Sequence, residues 1–174
     1  MTPSPTPNIL LIMADQHRLD CTARGGHPLV RTPALDRLAA EGVWFSHAFT
    51  PSPICCPARQ SLLCGQWPEA HGGLWNIGTM PLPPFERPTW TQTLAANGYT
   101  LGQVGKWQEH AAKSPLDFGF HDWISPKDYA TWRKSHGLPP PQPDGERLGL
   151  DPLTARWFGG RDPAPLEATR THWM

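Results

Sequence analysis

Short apolar runs separated by turn-forming residues divide the first part of the chain into alternating strands and helices. Residues 8–14 are an apolar run without polar interruption, which predicts a buried strand. Residues 33–41 carry apolar side chains three and four positions apart, which predicts a helix with Thr32 as its N-cap and Gly42 just past its end. Residues 43–49 then read as the next strand.

The same alternation continues beyond a proline-containing loop. The pattern predicts a helix over residues 56–64 capped by Gly65, a helix that starts at Thr89 or Thr91 and runs through residue 96, and a strand over residues 99–104. A short helix follows over residues 128–136. Strands that alternate with helices are typical of the α/β class, so we expect a mostly parallel sheet flanked by helices.

Polar residues stand directly after two of the predicted strands. Asp15 and Gln16 follow the first strand, and Lys106 follows the strand over residues 99–104. Ligands of open parallel sheets bind at the carboxyl ends of strands, so these residues are candidates for one shared site. Their position alone equally fits solvated loop residues. Further on, residues 138–143 form a proline-rich connector and residues 163–174 look like the start of a helix.

Composition narrows the classes of function. The 174 residues suit one domain, and 15 basic against 15 acidic residues give no bulk attraction to nucleic acid or acidic lipid. No apolar stretch reaches the ~18–20 residues of a membrane span, and the first residues lack the basic start of a secretory leader. We therefore expect a cytoplasmic protein with free thiols. The four cysteines do not follow zinc-ligand spacing; they are Cys21, Cys55, Cys56 and Cys64.

The most informative motif is Cys-x-Pro-x-Arg, formed by Cys55, Pro57 and Arg59 and followed by a Leu-Leu pair and Gly65. It coincides with a predicted helix start, where unpaired N–H groups and the helix dipole favour an anion. The motif resembles the signature of the type I sulfatases, which belong to the alkaline phosphatase-like superfamily.

Three further segments resemble the same family in the same order. Residues 7–16 are similar to its opening strand, which ends in its first metal ligands. Residues 32–45 are similar to the helix and strand before the nucleophile, and residues 98–107 to the strand with a Gly-Lys-Trp-His segment. Recognisable similarity covers about residues 7–123. The resemblance implies an alkaline phosphatase-like α/β fold, of which residues 1–174 are the N-terminal portion.

The resemblance also implies a mechanism. Cys55 would be converted to formylglycine by the formylglycine-generating enzyme, and the aldehyde would be hydrated to a geminal diol. One hydroxyl attacks the sulfur and is esterified, and the other loses its proton as the carbonyl reforms and sulfate leaves. By the same resemblance Cys55, Arg59 and Lys106 are the catalytic residues, whereas Cys56 takes no part. Arg59, about one turn after Cys55, can face the same side and hold the diol or a carboxylate.

The implied metal ligands are Asp15, Gln16 and the modified Cys55. Their oxygens suit a hard divalent cation, with Ca²⁺ as the first expectation and Mn²⁺ or Mg²⁺ as alternatives. The commoner family pattern has a second aspartate where this chain has Gln16. Asp-Gln is found in the branch that is similar to choline-sulfatase and phosphonate monoester hydrolase. Hydrolysis of phosphonate monoesters or phosphodiesters is therefore an alternative to hydrolysis of sulfate esters.

The implied substrate-binding residues are Lys106, Asn76 and Gln108. Gln108 stands where the family has histidine, so it can donate or accept a hydrogen bond but cannot transfer a proton. Asn76 matches a contact of the phosphonate-hydrolase-like branch, although an asparagine beside glycines is equally typical of a turn.

The family's remaining metal ligands, a catalytic histidine and a second lysine lie beyond the region of resemblance. We therefore expect the chain to be an N-terminal fragment whose partner is the missing C-terminal half of the same fold. On its own it supplies too few oxygens for Ca²⁺ and leaves sheet edges open, so it is expected to be nearly inactive and poorly soluble. An inactive truncated remnant is the third interpretation.

Overall fold

The computed structural model describes residues 6–76 and 87–138. The chain divides into two compact units, residues 1–50 and residues 51–174. The expected helix over residues 163–174 and nearly all of the proline-rich connector lie outside the described residues.

The N-terminal unit contains a 3-10 helix, Leu19–Cys21, and helix α1, Pro33–Glu41. Gly42 follows α1 and Thr32 precedes it, as predicted. The Thr32 hydroxyl does not cap the first turn, because it accepts the Ala23 N–H at 3.0 Å and donates to the carboxylate of Asp36 at 3.2 Å. Thr32 therefore joins α1 to the preceding loop.

The two strands predicted for this unit are wrong. Residues 8–14 and 43–49 form no strand, and their apolar side chains are largely exposed. Among the described residues 6–50, only Thr22 and Ala39 are buried. A strand requires a neighbour for its backbone N–H and C=O groups, and the sheet in the described part of the chain consists of two strands from the other unit. An apolar run alone does not supply that partner.

The helices of the C-terminal unit follow the local signals closely. Helix α2 ends at Gly65, whose φ of 69° lies in the left-handed region that glycine tolerates. Thr89 closes a capping box with Gln92 at the start of helix α4, and Ser125 does the same with Asp128 at the start of α5. One short helix, α3, was not predicted. The bounds are α2 Cys55–Cys64, α3 Pro68–His71, α4 Trp90–Ala96 and α5 Pro126–Ser135.

The sheet in the described residues consists of β1, Gly102–Val104, and β2, Asp122–Ile124. The two strands pair in parallel, which confirms the predicted α/β class with a parallel sheet. The first strand is shorter than the predicted residues 99–104, and the second was not predicted. A 3-10 helix, Pro115–Phe118, lies in the connection between them.

An aromatic cluster packs this connection. The ring of Trp107 lies 5.5 Å from that of Phe118 and 6.4 Å from that of Phe120, measured between centroids. Phe118 is buried together with Leu101 and Tyr129. The cluster fixes the segment that leaves the carboxyl end of β1. No helix in the part of the chain that the structure describes is long and apolar enough to cross a membrane.

The end of α2 can be tested by substitution. Gly65→Ala is expected to lower the free energy of unfolding by about 1 kcal/mol, because alanine disfavours the left-handed conformation. A Cβ at Gly65 would meet nothing within 4 Å, so the cost is conformational. Gly102→Ala in β1 is the matched control, since a Cβ there also meets open space and φ is not positive. Equal urea midpoints for the two variants would contradict the assigned cap.

Candidate active site

Cys55 is the first residue of α2 and is half-buried, while Cys56 behind it is buried. None of the four cysteines forms a disulfide. Pro57 has no N–H, yet it breaks no bond of the helix, because the hydrogen bonding starts with the Ala58 N–H and the Ile54 carbonyl at 3.1 Å. The motif therefore places Cys55 in the turn whose N–H groups have no partner within the helix.

Asn76 lies against this turn. Its side-chain oxygen Oδ1 accepts the backbone N–H of Cys56 at 3.3 Å. The structure thus brings Asn76 to Cys56, the neighbour of Cys55, across 20 positions of sequence. The side chain is exposed, and its contact with a substrate stays a prediction.

Arg59 is buried and reaches the segment after β1. Its Nη1 atom donates to the backbone carbonyl of Lys106 at 3.2 Å, across 47 positions of sequence. Lys106 follows Gly105, whose φ of 101° turns the chain at the carboxyl end of β1. The structure therefore brings the predicted catalytic residues Arg59 and Lys106 together in one unit.

Glu109, which no sequence motif indicated, faces Arg59. The Glu109 Oε1 atom lies 3.5 Å from Arg59 Nη1, and the two side chains are only 8% and 9% exposed. Burial raises the pKa of Glu109, while its hydrogen bond with the Gln108 N–H and the charge of Arg59 act against that rise. An isolated glutamate after a glutamine carries no sequence signal that would reveal this contact.

Two glutamines with buried side-chain oxygens lie beside this pair. Gln60 is fully buried and donates from Nε2 to the Glu109 carbonyl at 3.0 Å. The Oε1 atoms of Gln60 and Gln108 are buried without a hydrogen-bond partner among the described residues. Each of these two acceptors lacks a donor in the described part of the chain.

His71 supports α2 from behind. It is 3% exposed, and its Nδ1 atom accepts the Gly73 N–H at 3.1 Å. Because Nδ1 is an acceptor, Nε2 of the neutral ring carries the proton and donates to the Ser61 hydroxyl at 2.9 Å. The pair holds α3 and the following loop against α2, so it has a structural role.

Asp15 and Gln16 lie in the N-terminal unit and are exposed. Their oxygens are suitable donors for a hard cation, but Ca²⁺ takes six to eight of them. No group of three or more His, Cys, Asp or Glu side chains among the described residues could hold a metal ion. The residues that the structure describes therefore do not complete a metal site.

These elements define an α/β protein with a cysteine motif at a helix start. The sequence profile of the Sulfatase family matches residues 7–161. Steryl-sulfatase of Rattus norvegicus is 40% identical over 114 residues, which are 60% of this chain and 20% of that protein. Arylsulfatase A of Bos taurus is 37% identical over 125 residues, which are 68% of this chain and 25% of that protein.

Two solved structures are similar to this chain in fold. BT4656 in complex with its substrate D-glucosamine-2-N,6-O-disulfate matches 67% of this chain and 22% of its own, with a TM-score of 0.57 and 26% identity. Ps i-CgsB matches 70% of this chain and 31% of its own, with a TM-score of 0.55 and 24% identity, and supports the fold alone.

The chain therefore belongs to the Sulfatase family, and its fold is the alkaline phosphatase-like α/β fold of that family. It spans about a fifth to a quarter of the length of these curated relatives. The similarity to the choline-sulfatase-like branch stays a prediction.

The buried imidazole gives a pH prediction. Burial lowers the pKa of His71 below its ordinary value of 6.5, because a charged ring is poorly solvated there. Its contribution to stability is thus present above pH 6.5 and is lost as the pH falls through the lowered pKa. The difference in unfolding free energy between wild type and His71→Gln should shrink on acidification. Ser61→Ala should keep the pH dependence of the wild type, whereas a difference independent of pH would contradict the assignment.

Proposed function

We propose that this chain carries the nucleophile region of a sulfatase site and that the whole protein hydrolyses sulfate esters with a formylglycine made from Cys55. The supporting observation is the start of α2, where Cys55 opens the helix and Arg59 of the same motif reaches Lys106. Membership of the Sulfatase family adds to it, and the relatives named above are sulfatases. Formylglycine, when present, supplies a hydroxyl nucleophile and a carbonyl that can reform to release sulfate.

The start of α2 binds and orients the anionic group. The positive end of the helix dipole favours negative charge on the ester. The side chain of Asn76 accepts the Cys56 N–H and so holds this turn in place. In the proposal it lies next to the reacting group. In the proposed complex the side chain of Asn76 is one wall of the anion site.

Arg59 and Lys106 supply the positive charge. Arg59 is planar and held by the Lys106 carbonyl, so its guanidinium has a defined orientation. In the proposal Lys106 contacts the sulfate oxygens as a point charge, and both cations stabilise the charge that develops on the ester. Gln108 contributes a hydrogen bond and no proton transfer, because an amide does not titrate.

The family implies a divalent metal, and we assign Asp15 and Gln16 as its ligands, with Ca²⁺ as the preferred ion. An oxygen-only donor pair favours a hard cation over zinc. The formylglycine-generating enzyme is the proposed maturation partner, since the conversion requires a separate enzyme.

The alternative activity on phosphodiesters or phosphonate monoesters rests on one residue. Gln16 brings no charge where the commoner pattern has aspartate, and the charge at this position affects which anion is preferred. The relatives named above favour sulfate esters, which we therefore place first.

Modification of Cys55 is the direct test. When the chain is produced together with the formylglycine-generating enzyme, the peptide with Cys55 should lose about 18 Da by mass spectrometry. Cys56→Ala is the matched control, since it should keep the loss, whereas Cys55→Ala should abolish it. An intact Cys55 thiol in wild-type material would refute the proposal and favour the inactive remnant.

Ligand preference separates the two activities. In a Cys55→Ser chain, 4-nitrophenyl sulfate should bind more tightly than bis(4-nitrophenyl) phosphate, although both are monoanions. Isothermal titration with both ligands measures the difference in affinity. Arg59→Gln should weaken the binding of the sulfate ester by about tenfold, because a charge-assisted contact is lost. Tighter binding of the phosphodiester would favour the alternative.

A further inference from the structure

Two consecutive residues of α2 donate side-chain hydrogen bonds to the segment after β1, residues 106–109. Arg59 donates to the Lys106 carbonyl at 3.2 Å, and Gln60 donates to the Glu109 carbonyl at 3.0 Å. This segment begins with Lys106, a proposed catalytic residue, and ends with Glu109. The backbone that carries Lys106 is therefore fixed to the helix that carries Cys55.

The Glu109 carboxylate is fixed at both oxygens. Its Oε2 atom accepts the Gln108 N–H at 2.6 Å, and its Oε1 atom lies 3.5 Å from Arg59 Nη1. The first contact holds the carboxylate against its own backbone, so the second presents it to Arg59 in one orientation. A buried guanidinium requires a nearby negative charge, and Glu109 provides it.

We propose that Glu109 is a positioning residue of the sulfate-ester site, acting through Arg59, whose guanidinium it holds in a fixed orientation against the Lys106 carbonyl. This inference rests on the proposed function for the identity of the ligand. The ion pair itself belongs to the chain whatever ester is hydrolysed.

Positioning and plain electrostatics make opposite predictions. Glu109 is negative, so if it acted only as a charge, its neutralisation would strengthen the binding of an anion. If it acts by orienting Arg59, the same change weakens binding because the guanidinium is no longer held. Glu109→Gln separates the two, since it removes the charge and keeps the size of the side chain.

The first experiment follows Arg59 directly in the 174-residue chain. NMR of its guanidinium group should show slow rotation in the wild type and roughly tenfold faster rotation in Glu109→Gln, because the charge-assisted contact is lost. Asp122→Asn removes the same charge from an exposed carboxylate in β2 and should leave Arg59 unchanged. The backbone amide spectrum shows that each variant is folded.

The second experiment titrates inorganic sulfate. Glu109→Gln should bind it about tenfold more weakly than the wild type, while Asp122→Asn should not weaken it. Tighter binding by Glu109→Gln, or rotation of Arg59 equal to that of the wild type, would overturn the proposal.

A pH series adds a readout that a purely structural role would not change. The charged group that faces Glu109 from α2 is Arg59, and His110 and Lys106 are the titratable neighbours on its own segment. Burial raises the pKa of Glu109, so rotation of Arg59 should accelerate as the pH falls through that pKa. Glu109→Gln keeps His110 and Lys106 and should lack this step. The same step in both proteins would overturn the role of Glu109.

The two proposals fail separately. If Cys55 stays unmodified while Arg59 rotates faster in Glu109→Gln than in the wild type, the proposed sulfatase chemistry is refuted and the proposed role of Glu109 is supported. A modified Cys55 with an Arg59 that Glu109 does not restrain would do the reverse.

Discussion

The buried positive charge of Arg59 is the constraint on which the rest of the site depends. A guanidinium that is removed from water requires hydrogen-bond acceptors and a counter-charge, and the chain provides both from one segment. The Lys106 carbonyl and the Glu109 carboxylate lie on that segment. The contacts that compensate the buried charge of Arg59 therefore hold the carboxyl end of β1 against the helix that begins at Cys55.

The first turn of α2 is subject to a second constraint. Its first N–H groups have no partner within the helix and must find acceptors elsewhere. Pro57 removes one donor without breaking a bond, and Asn76 accepts the N–H of Cys56. Cys55 is half-buried at this turn. In the proposed function the contact of Asn76 with Cys56 holds the nucleophile in place, because small displacements are costly for catalysis.

Local signals predicted the helices well and the strands poorly. Thr89, Gly65 and the proline at the start of α1 act on their own neighbours, so their effects can be read from a few residues. The run over residues 8–14 was assigned to a buried strand from its apolarity, yet it is exposed and pairs with nothing in the described residues. Burial and pairing are properties of the segment's surroundings, and the run itself does not encode them.

The sequence by itself indicated the family and a helix over residues 56–64, which in the structure begins one residue earlier, at Cys55. These follow from spacing within one turn and from motifs in order along the chain. Only the tertiary structure decided that Arg59 meets Lys106 across 47 positions and that Gln60 meets Glu109 across 49. Neither Glu109 nor Gln60 belongs to a motif. Both are important because they are buried. The Glu109 carboxylate compensates the buried charge of Arg59, and the Gln60 amide satisfies the buried carbonyl of Glu109.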